Sequence, residues 1–485
     1  MTETAGIKRS KTVLFIAPFW GESGNVGMLR AGRIVQWLAD EGFKVIVVRA
    51  GLRDRSQETH FGEVITIRDP LRFYPDDLHG PVAIQDESIS TDNPAKVVGD
   101  PINKTILYQK TTKHFTGSID SHTNRTRRIV RKPNRLRRWL AYALLIPDPV
   151  IIWARRVKRH PLVIDRAAVS GWILASSPPE SSFIAAAFLS RRFGGLFLMD
   201  MRDGWLDDPM KPLLRYSTIQ QWREERLEKR MIQCAWRVIV TSESWKSMLE
   251  SRYSDWKDKI RVITNAYPFE TNALCSGKKT ANTTESINPE LKKQKSATDK
   301  TQAVRFLYAG RLFSSRPERN VNHLLEPLLK VAERGSVTGE ICFLGNMVID
   351  EEKILQSWAE KFQHAGWEWK RSNSVTHHQA LERMSHADIL LLLSASRGSI
   401  PAKFYDYIAV KKPILVACPT DSALFRAALQ IPQCYCFDPV NEQAIDSTIN
   451  QLLIDVSEDH VSFSRPVEYE PARLRKEFLS LFAYE

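Results

Sequence analysis

Short apolar runs alternate with amphipathic stretches along most of the chain. Residues 12–17 (TVLFIA) predict a buried strand, residues 28–42 a helix with an apolar face, and residues 43–50 (FKVIVVRA) the next strand. A strand, a loop, a helix and a second strand in this order are typical of a parallel sheet with a right-handed crossover. Further strands are predicted at WILASS, LFLMDM, RVIVTS and IRVITN, which begin at residues 172, 196, 237 and 260.

The same alternation restarts at residue 304. VRFLYAG predicts a strand, and residues 319–335 predict a helix with leucines along one face. GEICFLGN, ADILLLLSA and PILVAC predict three further strands. We therefore expect an α/β protein with two Rossmann-like, doubly wound parallel-sheet domains that face each other across a cleft.

Two polar stretches interrupt this pattern. Residues 80–128 and 271–302 nearly lack large apolar side chains, so we expect both to be insertions, the second of them disordered. The predicted organisation is an N-terminal domain over residues 1–270, an insertion over 271–302, a C-terminal domain over 303–465, and a terminal helix over 466–485 that packs back on the first domain.

The net charge of +13 is concentrated in one segment. Residues 124–159 contain twelve Lys and Arg against one acid, Asp148, which gives 12 − 1 = +11 of the total. Such a local excess indicates an anionic partner: a membrane surface, a nucleic acid or a phosphorylated substrate. No recognisable nucleic-acid module is present, so we rank that partner last.

Neither a secretory signal nor a membrane span is predicted. The start, MTETAGIKRSK, has no apolar core, and no apolar stretch is long enough to cross a bilayer. Six cysteines in 485 residues are too few for a disulfide framework. Cys434 and Cys436 lack a second cysteine pair that would complete a zinc site, so we expect core residues. The composition favours a cytoplasmic protein, peripheral at the inner face of the membrane.

Two loops that follow predicted strands could bind an anion. The first, GESGNVG, contains Gly24 and Asn25, and its glycines let backbone N–H groups approach a phosphate; the alternative is a flexible turn. The second, AGRLFSSRPERN, places Arg311, Arg316 and Arg319 before a helix. Cations oppose the positive end of a helix, so their presence indicates an anion rather than a solvated basic face.

A third candidate is the stretch SIPAKFYDYIAVKKPILVACP. A helix is predicted to start at Pro401 and a buried strand to span residues 413–418, with Lys403 and Asp406 on one helix face between them. A lysine can meet a phosphate, and a carboxylate can accept hydrogen bonds from the diol of a ribose. The alternative is a salt bridge within the helix.

The fourth candidate lies in the first domain. Ser176, Ser177 and Glu180 follow one predicted strand. Asp200, Arg202 and Asp203 follow the next. These ionisable groups would lie at the carboxyl ends of parallel strands, where ligands bind. The alternative is that Asp200 and Arg202 pair to hold two loops together.

Taken together, these stretches resemble a GT-B glycosyltransferase of the family 4 type, in the branch that builds bacterial surface polysaccharides. The motifs occur in family order over nearly all of the chain outside the insertions: IPDPVIIWA, ASSPPESS, MDMRDGW, VTSESW, VITNAYP, YAGRLFSSRPERN, SHADILLLL and IPAKFYDYIAVKKPIL. The resemblance implies that Arg311 and Arg316 hold the donor diphosphate and that Asp406 holds the ribose. It also implies that the loop with Gly24 and Asn25 approaches the phosphate and sugar.

The sequence departs from the family at three places. The family commonly has Glu at Asp406 and a second Glu eight residues earlier, where this chain has Gly398. An Asn-Gly pair is replaced by Asn265-Ala266, and the residue after the double proline, often His, is Glu180. Contacts from the missing Glu to the transferred sugar must come from elsewhere or be absent.

The predicted reaction is transfer of a sugar from a nucleotide-sugar to a glycan or lipid-linked acceptor. Arg311, Arg316 and Lys403 would stabilise the leaving diphosphate, and because the sequence has no Asp-x-Asp, neither a metal nor a cofactor is needed. The resemblance implies retention of configuration. Asp200, Arg202 and Asp203 would position the acceptor or act as general base, with Glu180 on the acceptor side.

Two other functions stay open. A nucleotide-sugar 2-epimerase on the same fold would need acid/base carboxylates and a histidine in the cleft, and His377 and His378 lie in the second domain. A non-catalytic nucleotide-sugar-binding subunit would be consistent with Gly398. The sugar, the base, the acceptor and the linkage are not encoded in any recognisable motif.

Overall fold

The structure is a computed structural model of the 485-residue chain. It describes residues 10–21, 26–71, 145–207, 218–268, 303–312 and 319–482. Both predicted insertions fall outside the described residues. So do Gly24, Asn25, Arg316 and the arginines from Arg125 to Arg138.

The first sheet has eight strands in the order β3-β4-β2-β1-β5-β6-β7-β8. Its strands are β1 Thr12–Ile16, β2 Lys44–Gly51, β3 Arg55–Thr59, β4 Gly62–Arg68, β5 Trp172–Ser177, β6 Leu196–Met201, β7 Arg237–Val240 and β8 Ile260–Val262. The register pairs Leu14 with Ile46 and Ile173, both in parallel. Among the described pairings of this sheet, that of β3 with β4 is antiparallel.

The second sheet has six strands in the order β11-β10-β9-β12-β13-β14. They are β9 Val304–Ala309, β10 Gly339–Leu344, β11 Glu368–Ser372, β12 Ile389–Leu393, β13 Ile414–Ala417 and β14 Cys434–Phe437. All of its pairings are parallel. Because β9 and β12 are central, their side chains are buried on both faces and read as continuous apolar runs.

Thirteen α-helices in the described part of the chain connect these strands. They are α1 Val26–Asp40, α2 Ile151–Val157, α3 Pro161–Val169, α4 Ser181–Phe193, α5 Thr218–Cys234, α6 Glu243–Arg252, α7 Asn322–Glu333, α8 Ile349–His364, α9 His377–His386, α10 Ala402–Ala409, α11 Ala423–Ala428, α12 Glu442–Ser457 and α13 Pro471–Ser480.

The chain forms two compact units. The first comprises Met1–Asp200 and Arg215–Trp236, and the second comprises Met201–Leu214 and Arg237–Glu485. In the second unit the residues before α13 pack on the segment after β8, where the backbone N–H of Tyr267 donates to the carbonyl oxygen of Tyr469 at 3.0 Å. No described helix is both long and apolar enough to span a membrane.

The predicted α/β class with two parallel sheets is confirmed. Four strands escaped the sequence-based prediction: β3, β4, β11 and β14. Two of them, RSQET and EWKRS, are edge strands that alternate between exposed and half-buried residues, so they lack the apolar run that reveals a buried strand. Helix α10 begins at Ala402, one residue later than predicted, and Pro401 is its N-cap.

Candidate functional site

The carboxyl end of β9, in the second unit, is closed by a tight backbone turn. Gly310 follows the strand with φ +95°, and its N–H donates to the carbonyl oxygen of Leu344 at 2.8 Å. Gly345, which follows β10 with φ +140°, lies so close that an added Cβ would be 3.2 Å from the Gly310 backbone. The two strand-end turns therefore pack backbone against backbone, which only glycine allows here.

Lys403 crosses from the first turn of α10 to this strand end. Its ammonium donates to the carbonyl oxygen of Ala309 at 3.0 Å and lies 3.6 Å from the centroid of the Tyr308 ring. A cation on an aromatic face is attracted to the ring's negative quadrupole. The side chain is thus held in one direction before any ligand arrives.

The environment of Lys403 disfavours its charged form. Burial, together with the nearby Arg319 guanidinium, lowers the pKa of Lys403 well below the usual lysine value. Burial likewise raises the pKa of Tyr308 to about 12, so that ring stays neutral. A half-buried ammonium beside a second cation is electrostatically incomplete, and a bound anion would stabilise both.

Tyr407 fixes α10 against the two central strands. Its hydroxyl accepts from the backbone N–H of Ala309 at 2.9 Å and donates to the carbonyl oxygen of Leu391 at 3.3 Å. The residue is fully buried, and burial raises the pKa of its phenol. Sequence reasoning missed Tyr407 and Tyr308, because tyrosines in an apolar stretch look like ordinary core residues.

Asp406 lies one turn beyond Lys403 and faces a different partner. Its Oδ1 is 3.3 Å from Nε2 of His377, the first residue of α9. Among the described contacts no ion pair joins Asp406 to Lys403, so the salt bridge within the helix, the alternative considered from sequence, is wrong. The sequence analysis noted His377 in the second domain but did not predict its contact with Asp406.

Arg311 and Arg319, near the two ends of the arginine loop after β9, contact each other. Arg311 is exposed, and its carbonyl oxygen accepts a hydrogen bond from the Tyr308 hydroxyl at 3.0 Å. Arg319 donates from Nη1 to the carbonyl oxygens of Arg311 and Leu312, at 3.5 and 3.3 Å. Helix α7 begins at Asn322, so the described cations Arg311 and Arg319 lie in the loop before it.

Gly398, where the resembled family has Glu, is packed under a tryptophan. A Cβ on Gly398 would lie 2.7 Å from the Trp245 ring, and one on Gly204 would lie 2.4 Å from its far edge. The carbonyl oxygen of Gly398 accepts from the Ser242 hydroxyl at 2.6 Å. Because the indole lies between two glycines, the structure leaves no room for a longer side chain at position 398.

The loop after β6 reaches the loop before α10 within the second unit. The Ser399 hydroxyl donates a long hydrogen bond, 3.5 Å, to Oδ1 of Asp203. The carbonyl oxygen of Arg202 accepts from Thr241 at 2.8 Å. Asp203 is therefore near the segment that leads to Lys403, although it was predicted from sequence on the opposite domain.

Asp200 is an interior residue of the first unit. Arg30 donates to its carboxylate at 2.8 and 3.1 Å, and the Ser176 hydroxyl donates at 2.7 Å; Asp200 is fully buried and Arg30 is 7% exposed. Its pairing with Arg202, the alternative considered from sequence, is wrong, because the partner is Arg30 on α1. Glu180 is buried at the N-cap of α4.

No group of three or more His, Cys, Asp or Glu side chains that could hold a metal ion occurs in the described residues. Cys434 and Cys436 lie in β14, and burial raises the pKa of both thiols. They pack against the apolar cluster that contains Phe404 of α10 and Leu424 of α11.

Comparison with solved structures identifies the fold. HepE from Anabaena, solved with UDP and glucose, matches with a TM-score of 0.53 and 10% identity over 97% of this chain and 99% of HepE. OtsA matches with 0.57 and 11% over 98% and 100%. A UDP-forming trehalose-phosphate synthase from Burkholderia xenovorans matches with 0.51 and 9% over 97% and 98%.

These similar structures are GT-B glycosyltransferases, so the chain has the GT-B fold, as its sequence predicted. No protein-family model and no curated protein matches the sequence. At identities near 10% the likeness establishes the architecture, while the chemistry has to be argued from this chain's own residues.

Proposed function

We propose that the chain is a glycosyltransferase that moves a sugar from a nucleotide-sugar to a glycan or lipid-linked acceptor. The observation that carries this proposal is the pairing of Lys403 with the carboxyl end of β9, one helical turn from Asp406. In doubly wound sheets that edge is where nucleotides bind. A GT-B fold adds the context in which such a nucleotide carries a sugar.

Lys403, Arg311 and Arg316 would bind the diphosphate. Transfer breaks the bond between the anomeric carbon and a phosphate oxygen, so negative charge grows on the leaving group. Cations positioned beforehand stabilise that charge most effectively. Arg319, which contacts the same loop and lowers the pKa of Lys403, adds to the positive potential.

The acceptor hydroxyl attacks on the face from which the phosphate leaves. Its oxygen bonds to the anomeric carbon, and its proton passes to the departing phosphate oxygen, so configuration is retained and no metal or cofactor is required. This route needs no pair of carboxylates beside the anomeric carbon, in contrast to hydrolases.

Asp406 would accept hydrogen bonds from the ribose hydroxyls. Nε2 of His377 lies 3.3 Å from Oδ1 of Asp406, so the start of α9 would border the same ribose. Gly398 and Trp245 would border the transferred sugar in place of a carboxylate. Asp203 and Arg202 would orient the acceptor or act as general base, with Glu180 on the acceptor side. Asp200, bound by Arg30, would hold the scaffold.

Contact with His377 also favours a second candidate, the nucleotide-sugar 2-epimerase. An epimerase needs a histidine and carboxylates near the sugar, and His377 with Asp406 provides one of each. We rank it second, because a phosphate on Lys403 would put Asp406, one helical turn away, beside the nucleoside rather than the sugar.

We also propose that the protein acts in the cytoplasm, at the inner face of an anionic membrane. The arginines from Arg125 to Arg138 carry much of the charge excess, and a lipid-linked acceptor would be met at that surface. Binding to anionic vesicles should weaken as salt rises, and changing six of these arginines to Gln should abolish it. Nucleotide affinity should not change.

The test is release of free nucleotide from a panel of nucleotide-sugars, with and without lipid-linked acceptor. A transferase releases nucleotide only with acceptor and gives a glycosylated product. An epimerase interconverts the sugar without acceptor. Binding without turnover would identify a non-catalytic subunit, and no binding to any nucleotide-sugar would contradict the proposal.

A further inference from the structure

Helix α5, Thr218–Cys234 in the first unit, is oriented against the usual rule. Glu224 and Glu228 are buried, at 1% and 0% exposure, while Ile219 and Trp222 are 65% and 54% exposed. Packing normally places tryptophan inward and glutamate outward. Packing against the rest of the first unit therefore leaves Ile219 and Trp222 of this helix exposed.

The outward face of α5 combines these apolar groups mainly with cations, and the exposed Glu225 lies at its margin. At 100° per residue, one 120° stripe contains Ile219, Trp222, Arg223, Arg226, Lys229, Arg230 and Gln233, all of them exposed. No acid lies in this stripe, which we call the α5 face. Arg226 lies over the Trp222 ring at 4.7 Å. The face carries four positive charges around two apolar side chains.

Neighbouring helices extend the same chemistry. Helix α4 packs against both α2 and α5, so the three helices are adjacent. Lys158, just after α2, lies 4.8 Å from the ring of Phe188 on α4, and Arg192 lies 5.3 Å from that of Phe193. Lys158 belongs to the described end of the basic segment 124–159, so the charge excess continues onto this layer.

We propose that the α5 face lies on an anionic lipid surface, with Trp222 and Ile219 inserted among the headgroups. An interfacial helix needs aromatic and aliphatic side chains beside basic ones, and tryptophan favours the headgroup level. Exposed Ile219 and Trp222 fit a lipid surface better than a strand of nucleic acid, because an aliphatic side chain would gain nothing from phosphates. The inference rests on the membrane location in the proposed function and names a described surface for it.

Vesicle binding of the full chain tests the assignment. Wild-type protein should bind vesicles of phosphatidylcholine with phosphatidylglycerol and not pure phosphatidylcholine. Changing Arg226 and Arg230 together to Gln should weaken binding about thirtyfold, from about 1 kcal/mol per cation near such a surface. Changing Ile219 and Trp222 to Ser should weaken it at least tenfold. Circular dichroism and nucleotide affinity should stay at wild-type values.

Matched controls lie in the second unit. Ile349 on α8 is 72% exposed but is followed by three acids, and Lys330 and Lys361 are exposed cations on α7 and α8. Ile349→Ser, and Lys330→Gln with Lys361→Gln, should leave vesicle binding unchanged. Brominated lipids should quench wild-type fluorescence more than that of Trp222→Phe.

Vesicle affinity that neither α5 change lowers would overturn the inference. Equal quenching in wild type and Trp222→Phe would also overturn it. The protein could instead fail to bind vesicles and bind a single-stranded oligonucleotide. If the α5 changes abolish that binding, the α5 face is a nucleic-acid surface and the inference is wrong. Failure of nucleotide binding would count against the proposed transferase, since that measurement contains no lipid, and would leave the vesicle results to be judged separately.

Discussion

At the scale of single residues, Lys403 has the most unusual electrostatic environment in the candidate site. A half-buried ammonium costs stability, and here the cost is increased by a second cation, Arg319. In the part of the chain that the structure describes, one carbonyl oxygen and one aromatic face compensate it. If such a group serves a ligand rather than the fold, as we propose, its removal should separate the two effects.

Lys403→Met should weaken binding of a nucleoside diphosphate by about 1.5–3 kcal/mol, the range for hydrogen bonds to charged groups. The free energy of unfolding should not fall, because a poorly solvated charge is removed. Lys412→Met is a matched control: Lys412 is half-buried in the same unit, with a pKa lowered by burial, but lies before β13 beside Asp388. Calorimetry and thermal unfolding of both variants measure the effect. Equal affinity in the two would argue against a phosphate role for Lys403.

Binding should also be linked to protonation of Lys403. The free protein holds the lysine pKa below its usual value, and a bound diphosphate raises it, so binding takes up a proton between those two pKa values. Affinity should rise as pH falls through that window. Without ligand the unfolded chain binds this proton more tightly, so stability rises with pH over the interval from the lowered pKa to the usual one.

Calorimetry in two buffers of different ionisation enthalpy measures the proton uptake. Lys403→Met removes the lysine and leaves the ionisation of the nucleotide itself, so the difference between the two proteins belongs to Lys403. Equal uptake in both would show that the lysine keeps one protonation state throughout.

At the scale of elements, the loop before α10 is shaped by contacts that no local pattern reveals. Gly398 and Gly204 lie on either side of Trp245, and the three come from segments far apart in the sequence. The helix around Lys403, its flanking strands and their order could be predicted, because apolar runs and helix starts are local signals. The partners His377, Tyr407 and Trp245 could not, because they meet only after the sheet has formed.

Gly398→Ala should lower stability by about 1–3 kcal/mol, the cost of overpacking. The added Cβ would approach the Trp245 ring to 2.7 Å. Trp245→Phe in the same chain should recover part of the loss. Gly32→Ala, a helical glycine with open space around it, should be neutral or stabilising. Denaturant unfolding gives these values, and a neutral Gly398→Ala would show that the indole moves aside freely.

The buried pair of Arg30 and Asp200 joins α1 to the carboxyl ends of β5 and β6. Asp200→Ala removes the buried carboxylate that pairs with Arg30, so it should cost about 3–5 kcal/mol of unfolding free energy. Asp446→Ala, which breaks an exposed pair with Arg334, should cost less than about 1 kcal/mol. A stable Asp200→Ala protein that has lost only turnover would restore Asp200 as a catalytic residue.

At the scale of the whole molecule, the sequence predicted two parallel α/β sheets and a GT-B fold, and both are confirmed. Repeated strand-helix units carry that information redundantly along the chain. The candidate site was predicted less completely. Its cations and Asp406 stood out as charges near strand ends, whereas Asp200 stood out equally and proved to be an interior ion pair. Charge next to a buried strand does not by itself distinguish a ligand site from a structural bond.

The central claim is that Asp406 holds the ribose of a nucleotide whose phosphates meet Lys403. Calorimetric titration with a nucleoside diphosphate and with its 2′,3′-dideoxy analogue, for wild type and Asp406→Asn, tests it most directly. We expect each change to weaken binding by itself and the two together to weaken it no further than either one, since both remove the same hydrogen bonds. Additive losses, or unchanged affinity in Asp406→Asn, would contradict the account.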